Sequence, residues 1–197
     1  MFSILSERLA GLRRRYAEPH RAYHGQAHID ALLAGLADQG GHIANKAATE
    51  LAIWYHDAIY DPAATDNEAR SATLLTTEMH GLACPSLISA TRHMILATAS
   101  HELPPDLSDT LRNDTATFLD LDMAVLGAAP ADYDAYEMGI AAEYIPVHGP
   151  DNFRTGRATF LRAMLIRERL FHTERFHHRL DAAARANLRR GLLALDA

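Results

Sequence analysis

From Leu51 to Tyr60 the chain reads LAIWYHDAIY. Wound as an α-helix, this run is apolar on every face, and such a helix is buried against neighbours over most of its circumference. The fold must therefore set other elements around it. His56 and Asp57 are its only strongly polar members. An ionised carboxylate in those surroundings has to be paired or bound to a cation, because its desolvation costs several kcal/mol. Something positive belongs beside Asp57.

The rest of the chain supplies helices. Strict apolar–polar alternation is rare, β-branched residues are sparse, and Ala and Leu abound. The pattern predicts helices over roughly 2–16, 25–38, 44–60, 67–80, 85–99, 110–126, 131–145, 151–169 and 173–194. Gly40-Gly41, Asp61-Pro62, Gly81 and Pro104-Pro105 punctuate them, and Asp66 and Thr173 read as N-caps. The expected architecture is an all-α bundle with short connections, a single domain over residues 1–197. The 48% hydrophobic content is ample for its core.

Several classes drop out. No run approaches the roughly 18 apolar residues of a membrane span, and the N-terminal segment, charged by Glu7, does not read as a signal peptide. The single cysteine, Cys84, excludes an internal disulfide framework and suits a reducing compartment, so a cytoplasmic location is expected. A net charge of -6 argues against general nucleic-acid binding. The unusual count is 12 histidines, and their positions decide what they mean.

His24 and His28, in YHGQAHID, are spaced i,i+4, which on a helix stacks two imidazoles on one face. Asp120 and Asp122 lie within the largely apolar FLDLDMAVLG. Each piece alone is weak. A single buried histidine is ordinarily a hydrogen-bonded core residue, a histidine pair arises by accident in a chain with twelve, and buried aspartates are often caps. The full order is harder to obtain by accident: His, then His-Asp in a buried run, then a distant Asp among apolar residues. By contrast His172, His177 and His178 fall on an amphipathic, charged C-terminal helix and read as a solvated face. His20, His42, His80 and His148 lie near helix ends, where capping or exposure accounts for them.

That order resembles the HD superfamily of metal-dependent phosphohydrolases, whose signature is H…HD…D on an all-α core. YHGQAHI further resembles the YHNxxHA motif of cyclic-nucleotide phosphodiesterases, with Gly25 in place of Asn. A fuller likeness is to the bacterial group described as predicted HD-superfamily metal-dependent phosphohydrolases. These proteins carry YHxxxHI, W(F/Y)HDxxYD, NExxSA, ATxxH, DxDxxxLG and EY in that order. Here the corresponding segments are Tyr23 to Ile29, Trp54 to Asp61, Asn67 to Ala72, Ala97 to His101, Asp120 to Gly127 and Glu143-Tyr144.

The resemblance implies an HD-type helical bundle whose metal site is built from residues 20–125, with the helices of 150–195 packing on the core. It implies His28, His56, Asp57 and Asp122 as metal ligands and His24 as the general acid. Asp120 and Asp122 point about 200° apart on a helix, so only one can face the metal. DMAVLG matches the superfamily's pattern of Asp before an apolar turn, which selects Asp122.

Such a donor set holds Mn, Fe, Co, Ni or Zn, and Mg less readily. His93 and His101 are candidates for a second metal or a substrate contact. Glu68 either caps its own helix or orients the attacking water. Arg21 and Lys46 are the nearest cations for a phosphate, a surface role being the plainer alternative for each. The implied function is hydrolysis of a phosphate ester or anhydride of a small molecule, such as a nucleotide. A di-iron HD-type oxygenase and a catalytically silent metal- or nucleotide-binding module are the competing readings. The apolar face of 153–171 suits either the core or a homodimer contact.

Overall fold

The computed structural model describes residues 2–195. Among these residues there are no strands. Nine α-helices follow in order: α1 (Phe2–Tyr16), α2 (Gln26–Ala37), α3 (Lys46–Tyr55), α4 (Asn67–Met79), α5 (Pro85–Ala97), α6 (Asp109–Asp122), α7 (Pro130–His148), α8 (Pro150–Ile166) and α9 (Glu174–Leu195). Two 3₁₀ segments, Gly40–His42 and Met123–Gly127, join them. The protein is all-α, as its alanine- and leucine-rich sequence predicts. None of the described helices is long and apolar enough to cross a membrane.

The chain forms two compact units, Met1–Leu121 and Asp122–Ala197. The division falls at the last residue of α6, so Asp122 is carried by a helix that otherwise belongs to the first unit.

In the first unit α3 packs against α2, α4 and α5, which is why its second half, Leu51 to Tyr55, has no polar side, while Lys46 and Glu50 are exposed in its first half. Ala48, Ala52, Ile53, Trp54 and Tyr55 are buried. Its N-terminus is capped from two directions. The Asn45 side chain accepts from the Ala48 amide at 3.0 Å. The Asp114 carboxylate accepts from the amides of Ala44 (2.9 Å) and Asn45 (2.8 Å). Asp114 opens a stretch of α6, through Leu121, in which every residue is buried. The sequence hid this second enclosed helix behind its Asp and Thr residues. The Thr117 hydroxyl turns back onto its own helix, donating to the Asn113 carbonyl.

One sequence expectation needs correction. The helix predicted over 44–60 stops at Tyr55, with His56 as its C-cap and Asp57 in the turn that follows. The backbone groups released there are taken up by side chains. Arg21 donates to the carbonyls of Asp57 and Ala58. Ser71 Oγ accepts from the Ile59 amide at 3.0 Å and donates to the Ile59 carbonyl at 3.3 Å. Apolar periodicity cannot register such distant partners, so the run read as continuous helix.

In the second unit α9 packs against Met123–Gly127, α8 and α7. Gly127 is where α9 comes closest: a Cβ there would lie 2.7 Å from Leu180 Cβ and 3.0 Å from its carbonyl oxygen. Asn187 fastens the contact, donating to the carbonyls of Leu126 and Ala128, each at 2.9 Å. Helix α7 runs through Pro146 to His148, and Gly149, at φ 77°, turns the chain into α8.

Candidate metal centre

The first motif begins ahead of a helix. Helix α2 starts at Gln26 with Gly25 as its N-cap in extended conformation. His28 therefore sits in the first turn, while His24 lies before the helix, not on it. The two rings are still neighbours, their centroids 6.1 Å apart. A side chain at position 25 would press on the Tyr16 carbonyl, 3.3 Å from an added Cβ. That crowding favours glycine at this position. His24 is half-buried and stacks on Tyr60 with centroids 4.3 Å apart.

His28 and His56 are 7% and 1% exposed. Their Nε2 atoms approach to 3.3 Å, and His56 Nε2 is 3.1 Å from Asp57 Oδ2. The other nitrogen of His56, Nδ1, lies 3.0 Å from the Ile53 carbonyl. A carbonyl only accepts, so Nδ1 carries the proton. His56 Nε2 then faces a second imidazole nitrogen and a carboxylate oxygen. The edge of Phe118 closes the apolar side of its ring, centroids 5.7 Å apart.

Asp122 completes the arrangement from the end of α6. His28, His56 and Asp122 each offer a ligand atom within 4.8 Å of the other two. Asp122, and not the buried Asp120, is the carboxylate of this set. Asp57 touches His56 without being one of the mutually close three.

The remaining candidates lie elsewhere. Glu68, in the first turn of α4, is half-buried, and its side chain makes no hydrogen bond or ion pair among the described residues. His93 is half-buried on α5 with Nδ1 2.7 Å from the carbonyl of Ser89, four residues back. His101 follows α5 with φ 53°, in the left-handed region that few non-glycine residues occupy. None of the three belongs to the His28–His56–Asp122 set.

Both expected phosphate cations are displaced from that role. The Arg21 side chain is wholly buried, and its guanidinium is directed at backbone carbonyls. Lys46 is exposed at the start of α3, the opposite end of that helix from His56.

Two side chains hold the loop after α3 in ways the sequence did not indicate. Asn67 clamps the Asp61 backbone, accepting from its amide and donating to its carbonyl. His20, read as a helix-end residue, lies parallel to the Tyr60 ring with Nε2 3.0 Å from the Tyr60 carbonyl. Conversely Asp66 occupies its N-cap position without a side-chain capping bond. The motif segment NExxSA was the available signal for Asn67, while His20 falls outside every motif segment.

No protein-family model, no curated protein and no solved structure matches the chain.

Proposed function

We propose that the protein is a metal-dependent phosphohydrolase acting on a small phosphate ester or anhydride. His28, His56 and Asp122 hold a divalent ion, with Asp57 beside them. The carrying observation is the aim of His56: Nδ1 is committed to the Ile53 carbonyl, and Nε2 faces His28 Nε2 and Asp57 Oδ2. A second proton on His56 would be shared between Asp57 Oδ2 and His28 Nε2 and would leave Asp122 unserved. A cation serves both imidazoles and Asp122 at once, with Asp57 beside it, and the carbonyl-bonded Nδ1–H is the ordinary way a ligating histidine is oriented. The order of His, His-Asp and Asp, with its accompanying motifs, resembles the HD superfamily and supports the same reading.

Two imidazoles with carboxylates suit Mn, Fe, Co or Ni, and a donor set of this size leaves coordination positions for water and substrate on a six-coordinate ion. When bound, such an ion supplies an activated water and charge neutralisation at a phosphoryl oxygen. His24 then delivers a proton to the leaving oxygen, its ring steadied by Tyr60. Glu68, a half-buried carboxylate with no hydrogen bond or ion pair among the described residues, orients the attacking water. The substrate is a small phosphate-containing molecule.

The test combines metal analysis with a turnover screen. Protein purified without added metal is assayed for bound ions. Nucleotides and small phosphomonoesters are then offered with Mn, Co, Ni or Mg. Near-stoichiometric metal and hydrolysis are expected. His56→Ala loses both, while His24→Ala keeps the metal and loses about 10²- to 10⁴-fold in rate. Undiminished turnover by Asp57→Ala after chelation refutes the scheme.

A further inference from the structure

Arg21 carries a charge in the wrong place for a surface residue. Its side chain has no exposed area, and its guanidinium lies over the rings of Tyr16 and Tyr60, 5.2 and 5.4 Å from their centroids. A buried guanidinium persists only where its N–H groups are used. Here Nε donates to Glu18 Oε2 at 3.0 Å and Nη2 to the Ala58 carbonyl at 3.3 Å. Nη1 donates twice, to the carbonyl of His24 at 3.0 Å and to that of Asp57 at 2.7 Å. One nitrogen thus joins the segment ahead of α2, at His24, to the turn after α3, across 36 positions of sequence in the second case.

We infer that Arg21 is the positioning residue of the candidate metal centre. It acts through the backbones of His24 and Asp57 and does not touch the substrate. The inference rests on the metal-dependent reading above. His24 stands outside α2 and Asp57 outside α3, so neither is fixed by a helical hydrogen-bond ladder. The shared Nη1 sets their backbones against each other, and with them the imidazole proposed as acid and the carboxylate proposed beside the ion. Lysine cannot substitute: a single ammonium on a flexible stem lacks the fork that reaches three carbonyls and a carboxylate together.

The test uses the whole chain and two variants, Arg21→Lys and Glu18→Ala, the latter removing the carboxylate bonded to Arg21 from a partly exposed position. Mn²⁺ and Co²⁺ binding are measured by calorimetry on samples whose circular dichroism matches wild type. Arg21→Lys is expected to weaken metal binding about tenfold, the scale of lost outer-shell support. Glu18→Ala loses less, about threefold on the same scale. In turnover, kcat falls while KM stays, since a buried guanidinium makes no substrate contact; a rise in KM alone would make Arg21 a phosphate ligand and overturn the inference. If Arg21→Lys does not fold, Glu18→Ala decides. Wild-type metal affinity and kcat in the folded variants overturn the inference alone. No binding of either ion by the wild type overturns the metal reading, and this inference with it.

Discussion

The choice between Asp120 and Asp122 shows what a sequence can settle at the scale of one side chain. Helix geometry states only that two residues two apart cannot share a face; the resemblance to the HD superfamily, whose Asp precedes an apolar turn, is what selects Asp122. The structure has both carboxylates at the end of α6, and Asp122 is the one with His28 and His56. Asp120 is instead 1% exposed. The two should separate experimentally. Asp122→Asn is expected to lower divalent-metal affinity at least tenfold, on the scale of lost metal-site support, with the helical content unchanged. Asp120→Asn is expected to leave that affinity alone and to cost about 2 kcal/mol of stability, the scale of a compromised buried polar group. Calorimetric titration with Mn²⁺ and urea denaturation check the pair. Arg21 is the opposite case. Nothing in PHRAYHG marks the arginine as buried, because its partners are carbonyls, which every residue has and no sequence pattern advertises.

At the scale of elements, periodicity located the helices and failed where a side chain from elsewhere replaces a helical hydrogen bond. The end of α3 is the main instance, with Arg21 and Ser71 taking over from the helix. Ser71→Ala is therefore expected to destabilise by about 1–2 kcal/mol, since it strips two bonds from the half-buried Ile59 backbone. The buried polar face of α6 is another. Asp114 lies in the polar sequence LRNDT, yet it is buried and its carboxylate caps α3. Asp114→Ala should lose about 2 kcal/mol, the upper scale of a lost N-cap, seen as a lower urea midpoint at unchanged slope. Gly127 was legible only as the last letter of a family motif. Its physical reason is the approach of α9, and Gly127→Ala is expected to cost about 1–3 kcal/mol by overpacking against the Leu180 backbone. A thermal melt against wild type reads this directly.

Across the whole molecule the all-α class followed from composition, while the division into two units did not, because it falls inside α6 where no glycine- or proline-rich linker could signal it. Charge behaves likewise. The formal value of -6 with 12 neutral histidines describes solubility, whereas acid stability depends on individual buried carboxylates. Asp181 is the clearest. Burial raises its carboxyl pKa, but the Leu170 amide and the Arg185 guanidinium outweigh that and hold it below the ordinary value. The bonds are 3.0 Å from the Leu170 amide and 2.6 Å from Arg185 Nε. Because the folded pKa lies below the unfolded one, the contribution is complete above the ordinary aspartate value of about 4 and is lost as pH falls through the folded pKa. Asp181→Asn should therefore be less stable than wild type by about 2 kcal/mol near neutrality, the worth of a charge-assisted bond. The gap should narrow steadily below about pH 4. Denaturation curves of the two proteins at neutral pH and at successively lower pH measure the gap. A difference that stays constant across that range would mean Asp181 acts by shape and not by charge.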